Sequence, residues 1–200
     1  MEIIIISCPF SAENEIDLIN QMFKEGLQSF HLRKPGYKKG QLEGFLGQIK
    51  ADYHSRVKIH SSIELLNTYR LGGIHVPAEM TLKKSIMDLK RQKKISMSSS
   101  FHTLEELKRS NEQIDYAFLS PVFDSISKNN YKSRFDYDEL HGALTLAKTR
   151  VIALGGCEAK KLYQVKQLGF SGAAFLGAVW NSDDPLESYN EIKETASGLS

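Results

Sequence analysis

Four of the six histidines in this 200-residue chain, His31, His60, His75 and His102, stand where short apolar runs end. Histidine is the side chain whose ordinary pKa lies near neutrality, so any of the four could move a proton. Brought together, neutral imidazoles could also ligate a transition metal and support a metal-dependent lyase or hydrolase. Taken singly, His31, His60 and His75 read more simply as satisfied histidines at the rim of a fold. A second pattern is glycine-based. Val151-Ile152-Ala153-Leu154 stops at Gly155-Gly156, and the run 172–179 carries Gly177. Bare backbone N–H groups at such points suit a phosphate, although the same glycines would also permit close strand–helix packing. Cys157 beside Gly156 is either a reactive thiol at a helix start or a buried small apolar residue, and the second reading is the stronger.

These residues need a frame, and the chain supplies a regular one. Short apolar runs at 3–7, 29–33, 57–60, 73–76, 94–98, 116–122, 151–154 and 172–179 read as strands. Between them, amphipathic runs at 14–24, 39–53, 63–69, 82–91, 103–109, 137–148, 158–168 and 185–195 read as helices. Thr103 followed by Glu106 has capping-box spacing, Gly169 is placed to end the seventh helix, and Asp184-Pro185 suits the start of the last. Eight strand–helix units predict an α/β fold: a minimal (β/α)8 TIM barrel, one domain over 1–200. A doubly wound open sheet would not need eight such units. In a barrel, chemistry is expected at the C-terminal ends of the strands, with a phosphate site after strands seven and eight.

Composition narrows the partners. The 26 basic and 24 acidic residues are interspersed and leave a net charge of +2, which argues against a nucleic-acid binder. Only Cys8 and Cys157 are present, so a disulfide framework is not expected and a reducing cytoplasm is the default. The opening Ile3-Ile4-Ile5-Ile6 is too short for a signal-peptide core, and no run approaches the ~20 apolar residues of a membrane span.

Several stretches carry a resemblance. Phe30-His31-Leu32-Arg33, Gly73-Ile74-His75-Val76, Ser100-Phe101-His102-Thr103-Leu104-Glu105-Glu106, Asp115-Tyr116 with Ser120-Pro121-Val122-Phe123 and Ser127-Lys128, and Ile152-Ala153-Leu154-Gly155-Gly156 resemble, in order, the motifs of the thiamine phosphate synthase and TenI (thiazole tautomerase) superfamily. The resemblance implies a (β/α)8 barrel, a homodimer, and a small-molecule thiazole phosphate as substrate. It further implies that His102 shuttles a proton and that the backbone of Gly155, Gly156, Leu176 and Gly177 holds phosphate. His31, Arg33, Ser100, Ser125, Ser127 and Lys128 are implied as substrate-binding, with Lys128 facing the phosphate or the substrate carboxylate.

Departures from the family pattern bear on the reaction. Synthases join hydroxymethylpyrimidine diphosphate to thiazole phosphate, with magnesium held by carboxylates and a lysine facing the leaving phosphates. The Asn-Asp pair they carry after strand three reads His60-Ser61 here, their Asp after strand four falls on Met80, and their lysine falls on Pro35, beside Lys34. Unless Glu79, Glu64 or Lys34 substitutes, the metal-dependent reaction loses its ligands. The synthases usually have Gln where His31 stands, and tautomerisation needs only a phosphate cradle and one acid/base group. The sequence therefore favours a thiazole tautomerase with no cofactor and no metal ligands, over a synthase using Mg2+. A non-catalytic thiazole or thiamine phosphate binder is the further alternative.

Overall fold

Eight short parallel strands, paired strictly in chain order, close on themselves in the computed structural model, which describes residues 1–109, 113–123 and 135–199. They are β1 (Glu2–Ile6), β2 (Phe30–Leu32), β3 (Val57–Ile59), β4 (Gly73–His75), β5 (Ser96–Phe101), β6 (Tyr116–Leu119), β7 (Arg150–Ala153) and β8 (Gly172–Phe175). The seam is a four-pair ladder from Glu2↔Gly172 to Ile5↔Phe175. Around the barrel lie α1 (Glu15–Lys24), α2 (Lys39–Leu46), α3 (Leu65–Tyr69), α4 (Lys84–Lys93), α5 (Leu104–Lys108), α6 (Tyr137–Leu146), α7 (Leu162–Leu168), α8 (Gly177–Trp180) and α9 (Pro185–Gly198). The (β/α)8 barrel expected from the alternating pattern is the observed fold.

Alternation along each strand sorts side chains into two cores, because successive residues face opposite sides of the sheet. Phe30, Leu32, Val57, Ile59, Ile74, Met97, Ala117 and Leu119 join the helices in the large outer core. Ile4, Ile6, Tyr116, Phe118, Ile152 and Ala174 form a small separate cluster, the inner filling of the barrel. That filling covers only β6, β7, β8 and β1. The intervening strands send His31, His60, His75, Ser98 and Ser100 inward instead, against Tyr116 and Phe118. The barrel interior is thus half apolar and half polar.

Local signals explain most boundaries. Thr103 Oγ1 accepts from Glu106 N at 3.1 Å and Glu106 Oε2 accepts from Thr103 N at 3.2 Å, the reciprocal cap expected for α5. Asp184 Oδ1 accepts from the N–H groups of Leu186 and Glu187 at the start of α9. Gly169 closes α7 at φ +97°, a left-handed conformation that glycine adopts without steric cost.

Four expected elements differ. The helix expected over 39–53 ends at Leu46 and resumes as a 3-10 turn, Ala51–Arg56; the His54 imidazole stands 3.1 Å from both Leu46 O and Ile49 O, which supplies a partner for carbonyls the broken helix leaves open. The strand expected at 94–98 begins at Ser96 and runs to Phe101, since Lys94 takes a left-handed conformation (φ +52°) to end α4. The run 116–122 ends as a strand at Leu119, before Pro121, which has no N–H to donate. The run 172–179 is strand only to Phe175. It then turns into α8, fixed by Trp180 Nε1–H donating to Ile6 O (2.7 Å) and Ser188 Oγ–H donating to Ala178 O (2.7 Å).

Lys34 is not available as a replacement phosphate ligand. Its ammonium is fully buried, paired with the Glu15 carboxylate and donating to Phe10 O at 2.8 Å. Glu15 Oε1 in turn accepts from Cys8 N at 3.0 Å, so the pair pins the loop after β1 to the loop after β2. Removing one partner of such a pair leaves a buried uncompensated charge. Glu15→Ala is expected to lose about 3 kcal/mol of stability in chemical denaturation, whereas Glu15→Ala combined with Lys34→Met loses much less. Equal losses would show that the pair does not behave as a coupled unit.

Candidate active site at the barrel mouth

Inward projection from β2, β3 and β4 brings three of the histidines into contact. His31 Nδ1 lies 2.9 Å from His60 Nε2, and the rings of His60 and His75 stack with centroids 4.3 Å apart. One ring nitrogen from each of the three lies within 4.8 Å of the others. His31 Nε2 is 2.5 Å from the Tyr116 hydroxyl, while His75 Nδ1 is 2.9 Å from Ser98 Oγ and His75 Nε2 is 3.1 Å from Ser100 Oγ. A tautomer assignment that satisfies these groups has His31 Nε2–H donating to Tyr116, His60 Nε2–H donating to His31 Nδ1, His75 Nδ1–H donating to Ser98, and the Ser100 hydroxyl donating to His75 Nε2.

Burial keeps the imidazoles neutral. It lowers His60 to about 2, helped by neighbouring His75 and then Arg33, and His75 to about 4, helped by Arg33, and it lowers fully buried His31 well below the usual range. The same burial pushes the Tyr116 phenol up, so it stays protonated.

The remaining residues named from sequence fall into three groups. His31 is buried within β2, so it reaches the mouth only through His60 and does not face a ligand directly. Arg33, Ser100 and His102 line a pocket of about 600 Å³, together with His60, His75 and Glu79. Arg33 is exposed, with no ion-pair partner among the described residues. His102 is also exposed, its Nδ1 3.1 Å from Ser120 O and 3.3 Å from Ser120 Oγ. Gly155, Gly156, Leu176 and Gly177 line a second pocket at the same end of the barrel, about 610 Å³. Gly155 needs to be glycine here: its φ is +88°, and a Cβ would sit 2.9 Å from Pro121 Cα. Ser125, Ser127 and Lys128 lie outside the described residues.

Cys157 is buried and its thiol is pushed up to about 12, so it packs as a small apolar residue and not as a nucleophile. Sequence reading missed Tyr116, Ser98 and Ser120 as partners of the histidines. Their signal was two-residue spacing, in Ser96-Ser98-Ser100 and Tyr116-Phe118-Ser120, extending further along β5 than the apolar content suggested.

Magnesium takes oxygen ligands in a near-ideal octahedron. At the ends of β3 and β4 the inward groups are imidazoles, Ser61 is exposed beside them, and Met80 packs against the outer core. Glu64 is exposed outside the pocket, and Glu106 is held by the N–H groups of His102 and Thr103. Glu79 is the one pocket carboxylate among the described residues with no hydrogen bond or ion pair. One carboxylate among imidazoles does not fit a protein-held magnesium ion.

Because His60 and His75 titrate near 6.5 when unfolded but at about 2 and 4 when folded, the unfolded chain binds protons there that the folded chain does not. Stability contributed by these neutral imidazoles is present above pH 6.5 and is lost as pH falls from 6.5 towards 4 for His75 and on towards 2 for His60. Urea midpoints measured from pH 7 to pH 4.5 are expected to decline, and His75→Asn is expected to flatten that decline. An unchanged slope in the variant would contradict the assignment.

Comparison with known proteins places the chain in a family. The profile of the thiamine monophosphate synthase family matches residues 3–179. A thiamine-phosphate synthase of Latilactobacillus sakei is 26% identical over 177 residues, covering 84% of this chain and 78% of its relative. A thiamine phosphate pyrophosphorylase from Bacteroides thetaiotaomicron superposes with a TM-score of 0.81 at 29% identity, over 98% of both chains. One from Pyrococcus furiosus reaches a TM-score of 0.78 at 14% identity, covering 99% of this chain and 96% of that one, a likeness of fold alone.

Proposed function

We propose that this chain, which belongs to the thiamine monophosphate synthase family, joins hydroxymethylpyrimidine diphosphate to thiazole phosphate with loss of diphosphate. The observation that carries this reading is the divided mouth: two pockets of similar size open at the same end of the barrel, and a coupling enzyme must hold two substrates. The family relatives bear the name of the coupling reaction. Sequence ranked isomerisation first on the missing carboxylates; with these relatives and two pockets, coupling takes the lead.

In this reading the N–H groups of Gly155, Gly156, Leu176 and Gly177 cradle the thiazole phosphate. A pair of glycines lets the backbone come close to an anion that side chains would otherwise crowd. Arg33 meets the negative charge of the diphosphate in the other pocket, where its planar fork can bind two oxygens at once. Lys128 completes the cationic rim in the same proposal. His102, held against Ser120, is the rim group that can hydrogen-bond the departing diphosphate oxygen in coupling, or move the proton in the tautomerase reading below. Magnesium would accompany the diphosphate substrate in this reading, with no cage of carboxylates for it among this chain's described residues. A homodimer, located in the cytoplasm, belongs to the same reading.

The second reading is thiazole tautomerase, favoured by the single uncommitted pocket carboxylate, Glu79, among the described residues at the ends of β3 and β4. Purified protein is to be supplied with both substrates and Mg2+, and separately with the unaromatised thiazole carboxylate phosphate. Coupling predicts thiamine phosphate in the first arm. Arg33→Ala should then lower kcat/KM for the diphosphate substrate by about 30-fold, the worth of roughly 2 kcal/mol for a charge-assisted contact. Aromatisation without coupling would overturn the proposal in favour of the tautomerase, and inactivity in both arms would leave a phosphate-binding protein.

A further inference from the structure

The three converging imidazoles, His60 and His75 in the lining of the Arg33 pocket and His31 beneath them, have no assigned purpose in either reaction. Two features set them apart from ordinary buried histidines. His31 lies on β2, His60 directly follows β3 and His75 ends β4, so three neighbouring strands bring the imidazoles together and side-chain rotation makes the final adjustment. His31 and His75 also have their remote nitrogens held by Tyr116 and Ser98, 2.5 and 2.9 Å away, which is how outer partners orient the imidazoles of metal sites.

We propose that His31, His60 and His75 form a three-histidine site for a divalent transition-metal ion of the zinc class, open on its fourth side to the Arg33 pocket. The ligand atoms in this proposal are His31 Nδ1, His60 Nε2 and His75 Nε2. In the tautomers assigned above, the first and third are unprotonated but accept from His60 and from the Ser100 hydroxyl, so the ion replaces those two hydrogen bonds and Ser100 turns its proton away. His60 needs only to move its proton from Nε2 to Nδ1, a change of tautomer that leaves its charge unaltered. A tetrahedral ion with bonds of about 2.05 Å holds its ligand nitrogens about 3.3 Å apart. The His31–His60 separation of 2.9 Å must open slightly, and the widest separation in the cluster, up to 4.8 Å, must close by about an ångström and a half.

Nitrogen donors select this class of ion and disfavour magnesium, which matches the poor fit of the mouth to an oxygen-ligated cation. The fourth position faces the pocket that Arg33, Ser100 and Glu79 line, so water or an anionic oxygen can complete the coordination. An anion there also offsets the repulsion between the ion and the guanidinium. Metal binding at this site does not depend on which of the two reactions the chain performs.

The test is a Co2+ titration of the chelator-treated full chain, followed by displacement with Zn2+. Expected is one equivalent of bound cobalt with the intense visible bands of tetrahedral nitrogen coordination, abolished by zinc. His60→Asn and His75→Asn should each weaken binding more than tenfold, and His102→Ala, which alters a rim histidine outside the cluster, should leave it unchanged. Absent binding, weak octahedral bands, or undiminished affinity in the two cluster variants would overturn the proposal. If a variant does not fold, the wild-type chain decides: Zn2+ must shift the imidazole resonances of His31, His60 and His75 and leave those of His54 and His141 in place.

Discussion

Pairing of polar groups inside the barrel is the constraint on which the rest of the structure depends. A buried imidazole or hydroxyl without a partner is costly in a low-dielectric interior. Here the interior of β2 to β5 is built from such groups, and they are spent on one another: Tyr116 with His31, His31 with His60, Ser98 and Ser100 with His75. Opposite them, Ile4, Ile6, Phe118, Ile152 and Ala174 fill the barrel in the usual apolar way. The division has a functional result. One side of the mouth ends in polar side chains, and the other ends in the glycine backbone after β7 and β8. Two chemically different pockets follow from one asymmetry of the filling.

Charge at that mouth is set apart from the imidazoles, with Arg33 and the Glu79 carboxylate both in the pocket. Lys34 is withdrawn into a buried pair with Glu15, Glu106 is committed to the start of α5, and Arg33 is left exposed over the neutral histidines. Its guanidinium contributes to holding His60 and His75 deprotonated. An anionic substrate therefore meets a fixed positive charge above a polar but uncharged floor.

The barrel itself was legible in the sequence because the strand–helix alternation is regular and its punctuation is strong, as at Thr103-Glu106, Gly169 and Asp184-Pro185. Boundaries were less so. Apolar content underestimated β5, where Ser96, Ser98 and Ser100 are strand residues facing inward, and overestimated β8, where Gly177 to Trp180 turn into a helix under the pull of Ile6 and Ser188. The residues at the mouth were found by motif and position, yet His31 was read as a ligand contact when it lies beneath one. Which way a histidine points depends on strand phase, and a short run such as Phe30-His31-Leu32 fixes that phase only once its neighbours are paired.

Nitrogen-15 NMR of the histidine side chains at pH 7 tests the central claim most directly, since imidazole shifts separate the charged ring from each neutral tautomer. The polar half-barrel predicts three neutral rings, with His31 protonated on Nε2, His60 on Nε2 and His75 on Nδ1, and with slow solvent exchange at the His31 site. Imidazolium shifts for any of the three, or rapid tautomer averaging at His31, would contradict it.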